Sequence, residues 1–124
     1  MPILNVAIVG EVPESVRTGL AQRIADASGR ELRSQPQSTW VKLQYISAEH
    51  YAENGGSPPN GAYPVFVSLL QADPANGPAL SEVVARLARA IGDACGRNAA
   101  SVHILVEPAG AGRMAFGGEF EHGK

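Results

Sequence analysis

A twelve-residue segment occurs twice in this chain, and this repeat constrains the fold more than any other feature. Residues 20–31 read LAQRIADASGRE, and residues 87–98 read LARAIGDACGRN. Leu, Ala, Ile, Asp, Ala, Gly and Arg recur at matching positions, and each copy lies between two apolar, strand-like runs. Because an internal repeat marks a repeated structural unit, the chain is predicted to contain the same unit twice.

The first unit is predicted to contain a strand, a helix and a second strand. Residues 3–9 form a nearly continuous apolar run, which is typical of a strand covered on both faces. Pro13 suits the first turn of a helix, and Gly29 is its predicted end. Residues 41–46 alternate in character, as a strand with unlike faces does. The apolar stripe of the helix comprises Val16, Leu20, Ile24 and Ala27.

The second unit repeats this order. Residues 64–70 are predicted to form its first strand, residues 78–95 its helix and Val102–Val106 its last strand. Gly96 is the predicted stop of the helix. Residues 57–62, which are rich in proline and glycine, form a connector between the units. The apolar stripe of this helix comprises Leu80, Val83, Val84, Leu87 and Ile91.

Two such units fit into one domain. A strand–helix–strand unit of about 45 residues is a right-handed crossover with parallel strands. Two copies predict an α+β fold with a four-stranded mixed sheet and both helices on one face. At 124 residues, of which 44% are apolar, the chain is long enough for one modest core. We expect a single domain over residues 1–124, with units at about 2–56 and 63–120 and a loose tail at 119–124.

The second face of the predicted sheet has no helix to cover it. The strands nevertheless carry apolar residues toward both faces. Because a large exposed apolar surface usually marks an interface, we expect this face to pack against other subunits in an oligomer.

Composition argues against several classes of function. The net charge is −2 and the cations are scattered, so a nucleic-acid partner is not expected. No run approaches the roughly 18 apolar residues of a membrane span, and the start lacks the pattern of a secretory signal. We therefore expect no membrane partner and a cytoplasmic location. Cys95, the single cysteine, falls on the apolar side of its helix and is predicted to lie in the core.

No motif for a metal or cofactor is found. His50, His103 and His122 have no ligand partner three or four residues away. Gly110 and Gly112 form an isolated GxG that precedes a predicted hairpin rather than a helix. No nucleophile elbow is present either. We expect neither a metal nor an organic cofactor.

Pro2 is the first candidate for chemistry. If Met1 is removed, the ring nitrogen of Pro2 becomes a free secondary amine at the start of the first strand. Such an amine keeps a lone pair whose direction the ring restricts, and it can act as a base or nucleophile. The alternative is that Met-Pro is merely a start that permits trimming.

Three stretches, together with Pro2 and the doubled unit, resemble the tautomerase superfamily. SVHILVEPAGAGRMAFGGEF, residues 101–120, is similar to the last strand and closing hairpin of 4-oxalocrotonate tautomerase (4-OT). MAFGG, residues 114–118, also resembles macrophage migration inhibitory factor (MIF), a doubled member, and YAENGG, residues 51–56, is a weaker echo. The resemblance implies a trimer of doubled chains, in which a glycine turn lays the hairpin over a neighbouring subunit. Glycine at 117 and 118 also has a physical reason, because tight turns need residues that tolerate positive φ.

The resemblance also implies a chemistry. Members of the superfamily use a neutral N-terminal proline to move a proton between the atoms of an enol or dienol acid, without a cofactor. An α-amino group titrates near pH 8 in model peptides, and an apolar pocket lowers that pKa. Pro2 would then be the general base, and the chain would be a tautomerase. Met114 and Phe116 would form part of the dry wall of the pocket, or alternatively hairpin core.

Three residues are candidates to hold the substrate carboxylate or the developing oxyanion. His103 matches a position that the family fills from the adjacent subunit, although a strand histidine at a subunit contact is the alternative. Arg30 follows the predicted helix stop, where MIF has a lysine, but like its repeat partner Arg97 it also suits a helix C-terminus. Arg113 precedes the hairpin wall, and an exposed surface charge is its alternative.

Departures from the family pattern narrow the reaction. Glu11 and Val12 stand where 4-OT has an arginine, so a dicarboxylate clamp there is in doubt. Residues 71–77 lack the arginines that the family's chloroacrylate dehalogenases and malonate semialdehyde decarboxylase carry there. Ala115 is the likeliest match to the position of the water-activating glutamate in the hairpin of the cis-chloroacrylate enzyme. The hypothesis is a cofactor-free tautomerase of a small enol or dienol acid. The alternatives are a silent trimeric scaffold or binding protein, or a promiscuous dehalogenase, hydratase or decarboxylase.

Overall fold

A computed structural model describes residues 1–121 of the chain. The first half contains β1 (Ile3–Val9), α1 (Glu14–Arg17), α2 (Leu20–Glu31) and β2 (Trp40–Ile46). The second half contains β3 (Val65–Leu70), α3 (Gly77–Cys95), β4 (Val102–Val106), and a hairpin of β5 (Met114–Phe116) and β6 (Glu119–Glu121). None of the helices within residues 1–121 combines the length and apolar character needed to cross a membrane.

The four longer strands form one mixed sheet in the order β2-β1-β3-β4. β1 is parallel to β2 and β3 is parallel to β4, as two crossover units require, whereas β1 and β3 are antiparallel. The predicted α+β fold with a four-stranded mixed sheet is therefore confirmed. Because the junction between the units is antiparallel, the start of β1 lies beside the end of β3, with Ile3 opposite Leu70.

One face of the sheet forms the core together with the helices. Alternate residues of the two central strands point into it, as the period of a strand requires, and each is at most 1% exposed: Leu4, Val6, Ile8, Val65, Val67 and Leu69. Residues of α2 and α3 join the same cluster, so the two units share one core. Burial raises the pKa of the Cys95 thiol to about 11. Cys95 therefore stays protonated at neutral pH and is a core residue, as predicted.

The helix of the first unit differs from its prediction at its start. Pro13 precedes only a single turn, α1, and Gly19 then adopts a left-handed conformation with φ of 69°. The Arg23 side chain donates hydrogen bonds to the carbonyls of Val16 and Thr18, which the interruption leaves without helical partners. The predicted continuous helix from Pro13 is wrong because Gly19 breaks it.

Gly29 and Gly96 are repeat partners with different roles. α3 ends at Gly96, whose φ is 70°, as predicted. α2 instead continues through Gly29 to Glu31, and Arg33, one turn after Gly29, takes the left-handed conformation with φ of 54°. The Ser34 N–H then donates to the Gly29 carbonyl at 2.9 Å, which closes a Schellman motif. The predicted stop at Gly29 is therefore wrong.

The C-terminal segment has more structure than predicted. Glu119–Glu121 forms β6 and pairs with β5, so the expected loose tail is wrong for these residues. Residues 122–124 lie outside the described part of the chain. Gly117 and Gly118 have φ of 61° and 89°, which confirms that the two-residue turn of this hairpin needs positive φ. The weaker glycine segment at 51–56 makes one isolated bridge, between Glu53 and Gly56.

Arg97 ties the two halves of the protein together. Its guanidinium donates to the carbonyls of Val9 at 2.9 Å, Tyr63 at 2.8 Å and Glu11 at 3.0 Å. A guanidinium can do this because its donors form a rigid fork. Val9 ends β1 and Tyr63 lies shortly before β3, where the strand ladder stops and backbone acceptors need other partners. Arg97 thus does more than place a cation near a helix C-terminus.

Alanine is expected to have opposite effects at the two repeat-matched glycines. A Cβ at Gly29 would approach no atom closer than 3.9 Å, so Gly29→Ala gains helix propensity, about 0.5–1 kcal/mol. Gly96→Ala places a side chain at positive φ, which costs about 1–2 kcal/mol. Urea unfolding at matched protein concentration measures both changes. Equal shifts of the two urea midpoints in the same direction would contradict the conclusion that Gly96 ends its helix whereas Gly29 lies inside its helix.

Candidate active site

The start of β1 and the C-terminal hairpin lie at the same end of the sheet, which we call the Pro2 end. Ile3 is paired with Trp40 on one side and with Leu70 on the other. The chain that leaves β4 returns to this end, since the Gly110 N–H donates to the carbonyl of the residue after β3 at 2.9 Å. Pro2 is therefore close to residues from the opposite end of the sequence.

A groove of about 370 Å³ opens at the Pro2 end. Lys42 and Arg113 line it, and neither side chain makes an ion pair or hydrogen bond to another residue within 1–121. Glu107 also lines it and accepts a hydrogen bond from the Ser68 hydroxyl at 3.1 Å. Two unpartnered cations beside an apolar wall suit a small molecule that carries a carboxylate. The apolar wall is formed by Ile3, Leu70 and Met114.

The two predicted wall residues lie at the Pro2 end. Met114 is 5% exposed, and a Cβ on Gly110 would lie 2.5 Å from its Sδ, so glycine leaves the space that Met114 fills. Phe116 packs edge-on against Trp40, with ring centroids 5.3 Å apart. The backbone N–H of Trp40 in turn donates to the Pro2 carbonyl at 3.0 Å. The fold thus places both residues at the Pro2 end, but of the two only Met114 lines the groove, and Pro2 itself is not among the lining residues.

The terminal amine lies in an ion pair. The Met1 ammonium donates to both carboxylate oxygens of Glu121, at 3.0 and 3.2 Å. While Met1 is attached, the Pro2 nitrogen is a peptide nitrogen without a basic lone pair. Sequence reasoning did not single out Glu121, because no local pattern marks a contact with the opposite end of the chain.

His103 lies toward the opposite end of the same sheet. It is paired with Phe66 of β3, which is paired with Ala7 of β1. Since a strand rises about 3.3 Å per residue, Ala7 is roughly 16 Å along β1 from Pro2. The structure therefore does not bring His103 to Pro2 within one chain. A site that contains both needs the His103 of a second copy, in agreement with what the resemblance implies.

An aromatic cluster borders His103. The Phe66 ring lies 5.9 Å from the rings of His103 and Tyr51, and Tyr51 lies 6.3 Å from Tyr63. The Tyr51 hydroxyl donates to Glu53 at 2.6 Å, and this hydrogen bond raises the pKa of Tyr51. The phenol therefore stays neutral at neutral pH, and the cluster offers rings rather than a second charged group.

Arg30 lies among the helices, away from the Pro2 groove. It is inside α2 rather than after a helix stop, because α2 ends at Glu31. Its side chain is exposed and lines surface grooves that residues of α2, its following loop and α3 form. Of the three candidates for the carboxylate, the structure brings only Arg113 to the Pro2 end of its own chain.

Lys42 is a groove residue that sequence reasoning missed. The antiparallel pairing of β1 with β3 is approximately symmetric about the Val6–Val67 pair. A rotation of the first unit onto the second about this pair places Lys42 of β2 at the position of His103 in β4. Extending the repeat from the helices onto the strands would have found it.

Comparison with known proteins gives matches among solved structures. No protein-family model and no curated protein matches the sequence. A fused 4-OT, solved as a wild-type symmetric trimer, aligns with a TM-score of 0.75 and 18% identity over 97% of this chain and 95% of its own. Pt0534, solved after inactivation by 2-oxo-3-pentynoate, aligns with a TM-score of 0.73 and 15% identity over 97% and 96%. A MIF homologue from Prochlorococcus marinus aligns with a TM-score of 0.69 and 15% identity over 98% and 99%.

The chain has the tautomerase fold. The match covers 97% of its length, so it extends over both units. The resemblance that was based on residues 101–120 is thereby confirmed at the level of the fold.

The tautomerase fold of this chain leaves one sheet face open. Two rows of side chains cross all four strands on this face: Lys42, Asn5, Ser68 and Leu105, and Gln44, Ala7, Phe66 and His103. Leu105 is 65% exposed and Phe66 is 40% exposed, beside a concavity of about 620 Å³. The face therefore combines apolar side chains with polar groups that can form hydrogen bonds, which is the composition of a subunit interface.

No metal centre is evident in the described part of the tautomerase fold. Within residues 1–121 there is no group of three or more His, Cys, Asp or Glu side chains that could hold a metal ion. The groove at the Pro2 end offers two cations, the Glu107 carboxylate and apolar surface to a ligand.

Proposed function

We propose that this protein is a cofactor-free tautomerase of a small enol or dienol carboxylic acid. After removal of Met1, Pro2 is the general base. The observation that carries the proposal is the groove at the Pro2 end, where the unpartnered cations Lys42 and Arg113 lie beside the apolar Met114. The tautomerase fold of the chain supports the same conclusion.

The reaction needs only a proton carrier and a way to hold an anion. The neutral amine of Pro2 takes a proton from the enol oxygen or the adjacent carbon, and the resulting ammonium returns a proton at the other end of the conjugated system. Lys42 and Arg113 hold the carboxylate and stabilise the negative charge that develops on oxygen. The apolar wall removes water from one side of the groove, which strengthens these charge interactions. The O–H bond of the enol breaks and a C–H bond forms, while the C=C π bond shifts to become the C=O π bond, so no other σ bond changes.

A homotrimer supplies the remaining groups. The open face has exposed apolar residues, and fused 4-OT proteins with this fold have been solved as trimers. His103 is too far from Pro2 in its own chain, so we assign it to the pocket of a neighbouring copy, where it stabilises the developing oxyanion. Arg30 remains a weaker candidate that also requires a neighbouring copy.

A catalytically silent scaffold of the same fold is the second candidate. Pro2 is not among the residues that line the groove, and a chain that retains Met1 has no basic nitrogen at Pro2. The intact mass of the purified protein distinguishes the two, since removal of Met1 is a condition of the enzymatic proposal.

Pro2→Ala is expected to slow ketonisation of phenylenolpyruvate or 2-hydroxymuconate by roughly 10²-fold or more, because general-base catalysis typically contributes that much. Pro36→Ala, an exposed loop substitution, is the matched control and should leave the rate unchanged. Initial rates are compared at equal secondary-structure content. Equal rates for wild type and Pro2→Ala would remove Pro2 from the mechanism.

Arg113→Gln is expected to raise KM roughly tenfold with a smaller change in kcat, because it removes a charged hydrogen-bond donor to the carboxylate. Arg30→Gln is the comparison, since Arg30 is the competing arginine candidate and lies among the helices, and we expect it to change KM much less. Steady-state kinetics with the same two substrates give both values. The reverse order of effects would move the carboxylate site to the helix layer of a neighbouring copy.

Leu105→Lys is expected to convert the trimer into monomers at micromolar concentration, since it places a charge on the open face. Ala21→Lys, on the exposed side of α2, should leave the mass unchanged. Light scattering after size exclusion measures both. A trimeric Leu105→Lys variant would exclude this face as the interface.

A further inference from the structure

Glu121 is fixed by the hairpin rather than by a free chain end. It pairs with Met114 across β5 and β6, and its carbonyl accepts a hydrogen bond from the Gly112 N–H at 3.0 Å. Its carboxylate contacts the Met1 ammonium through both oxygens. The hairpin that walls the groove therefore also presents a carboxylate to the N-terminus.

We propose that Glu121 becomes the ion-pair partner of the Pro2 amine once Met1 is removed, and that it favours the protonated form of that amine and so sets the pH at which Pro2 can act as a base. The inference rests on the proposed function, because it concerns the state of the same amine. Removal of Met1 moves the terminus inward by one residue, about 3.8 Å between Cα atoms. The Glu121 side chain has three rotatable bonds and can follow the amine over this distance.

Opposing influences act on the amine at the Pro2 end. A carboxylate within ion-pair distance favours the ammonium, whereas an apolar wall and the cations Lys42 and Arg113 favour the neutral amine. Glu107 lines the same groove and Glu119 lies on the same strand as Glu121. Within residues 1–121, however, Glu121 makes the ion pair that involves the terminus.

The size of the effect follows from exposure. The two side chains of the pair are 32% and 28% exposed, so water and salt screen their attraction in part. We therefore expect Glu121 to change the pKa of the Pro2 amine by about one unit rather than by several. An ammonium has no lone pair, so only the neutral fraction of the protein can begin the reaction. Glu121 is thus a positioning residue that sets the pH at which Pro2 becomes a base.

Glu121→Gln tests this, with Glu119→Gln as the matched control. Glu119 lies on the same strand, is exposed and makes no ion pair within the described residues. The amine is titrated by NMR in protein labelled with ¹⁵N-proline, after intact mass has confirmed that Met1 is absent. We expect Glu121→Gln to lower the pKa of the Pro2 amine by about one unit and Glu119→Gln to leave it unchanged.

A second readout follows the chemistry of the amine directly. The electrophile 2-oxo-3-pentynoate reacts with neutral amines, so its rate of attachment to the N-terminal peptide follows the neutral fraction. Below the pKa of the amine, Glu121→Gln should react about tenfold faster than wild type. If tautomerase activity is present, the acid limb of kcat/KM should move to lower pH by the same amount.

The outcomes separate the two proposals. An unchanged amine pKa in folded Glu121→Gln overturns the role of Glu121, even if Pro2-dependent turnover is found. A lowered pKa without Pro2-dependent turnover supports the ion pair and refutes the tautomerase. If Glu121→Gln loses the hairpin, the wild-type protein decides: the pKa of an amine paired with Glu121 should fall as added salt screens the pair, and a pKa that does not fall overturns the role of Glu121. Retention of Met1 in the mature protein overturns the inference.

Discussion

The antiparallel pairing of β1 with β3 determines where everything else lies. Each unit is a parallel crossover, and a parallel junction would have placed the start of β1 beside the start of β3. The antiparallel register with Val6 opposite Val67 instead brings Ile3 beside the end of β3. The chain that leaves β4 then ends at the same place. This is why the terminus, the hairpin and the groove between them form one region.

Much of the fold could be predicted because local patterns and the final structure agree. The apolar runs predicted the four strands, and the glycine at 96 predicted the end of α3 because glycine adopts positive φ without a steric cost. The same reasoning failed at Gly29, since Arg33 took the left-handed position one turn later. Glu119–Glu121 looked like a tail because a three-residue strand has too little pattern to identify without its partner.

The candidate site was predictable only where a motif was continuous in sequence. Met114 and Phe116 belong to one hairpin, so a single resemblance located both. Glu121 and Lys42 depend on contacts between distant segments, which a repeat confined to the helices does not reveal. Arg30 illustrates the opposite case, because a helix that continues for one more turn moves a side chain away from the position that its sequence neighbours indicate.

Side chains of both charge signs lie together at the Pro2 end. Lys42 and Arg113 attract an anion to the groove, while Glu121 attracts a cation to the same end of the sheet. Water has access to both, since neither the groove nor the ion pair is closed. Charges of both signs therefore lie at this end of the sheet: the cations can contact the anionic end of a ligand, and the carboxylate contacts the N-terminus.

The pseudo-symmetry of the sheet has a consequence for how many such ends a doubled chain can have. Matching the units about the Val6–Val67 pair puts Tyr63 where the first unit has Pro2. Tyr63 is joined to residues on both sides, and its carbonyl is held by Arg97. In a doubled chain the second half therefore has no terminus of its own, so only one of the two units can offer a chain end. Chemistry that needs a terminus can then occur only in the first half, while the second half contributes contacts that hold the units together, such as those of Arg97.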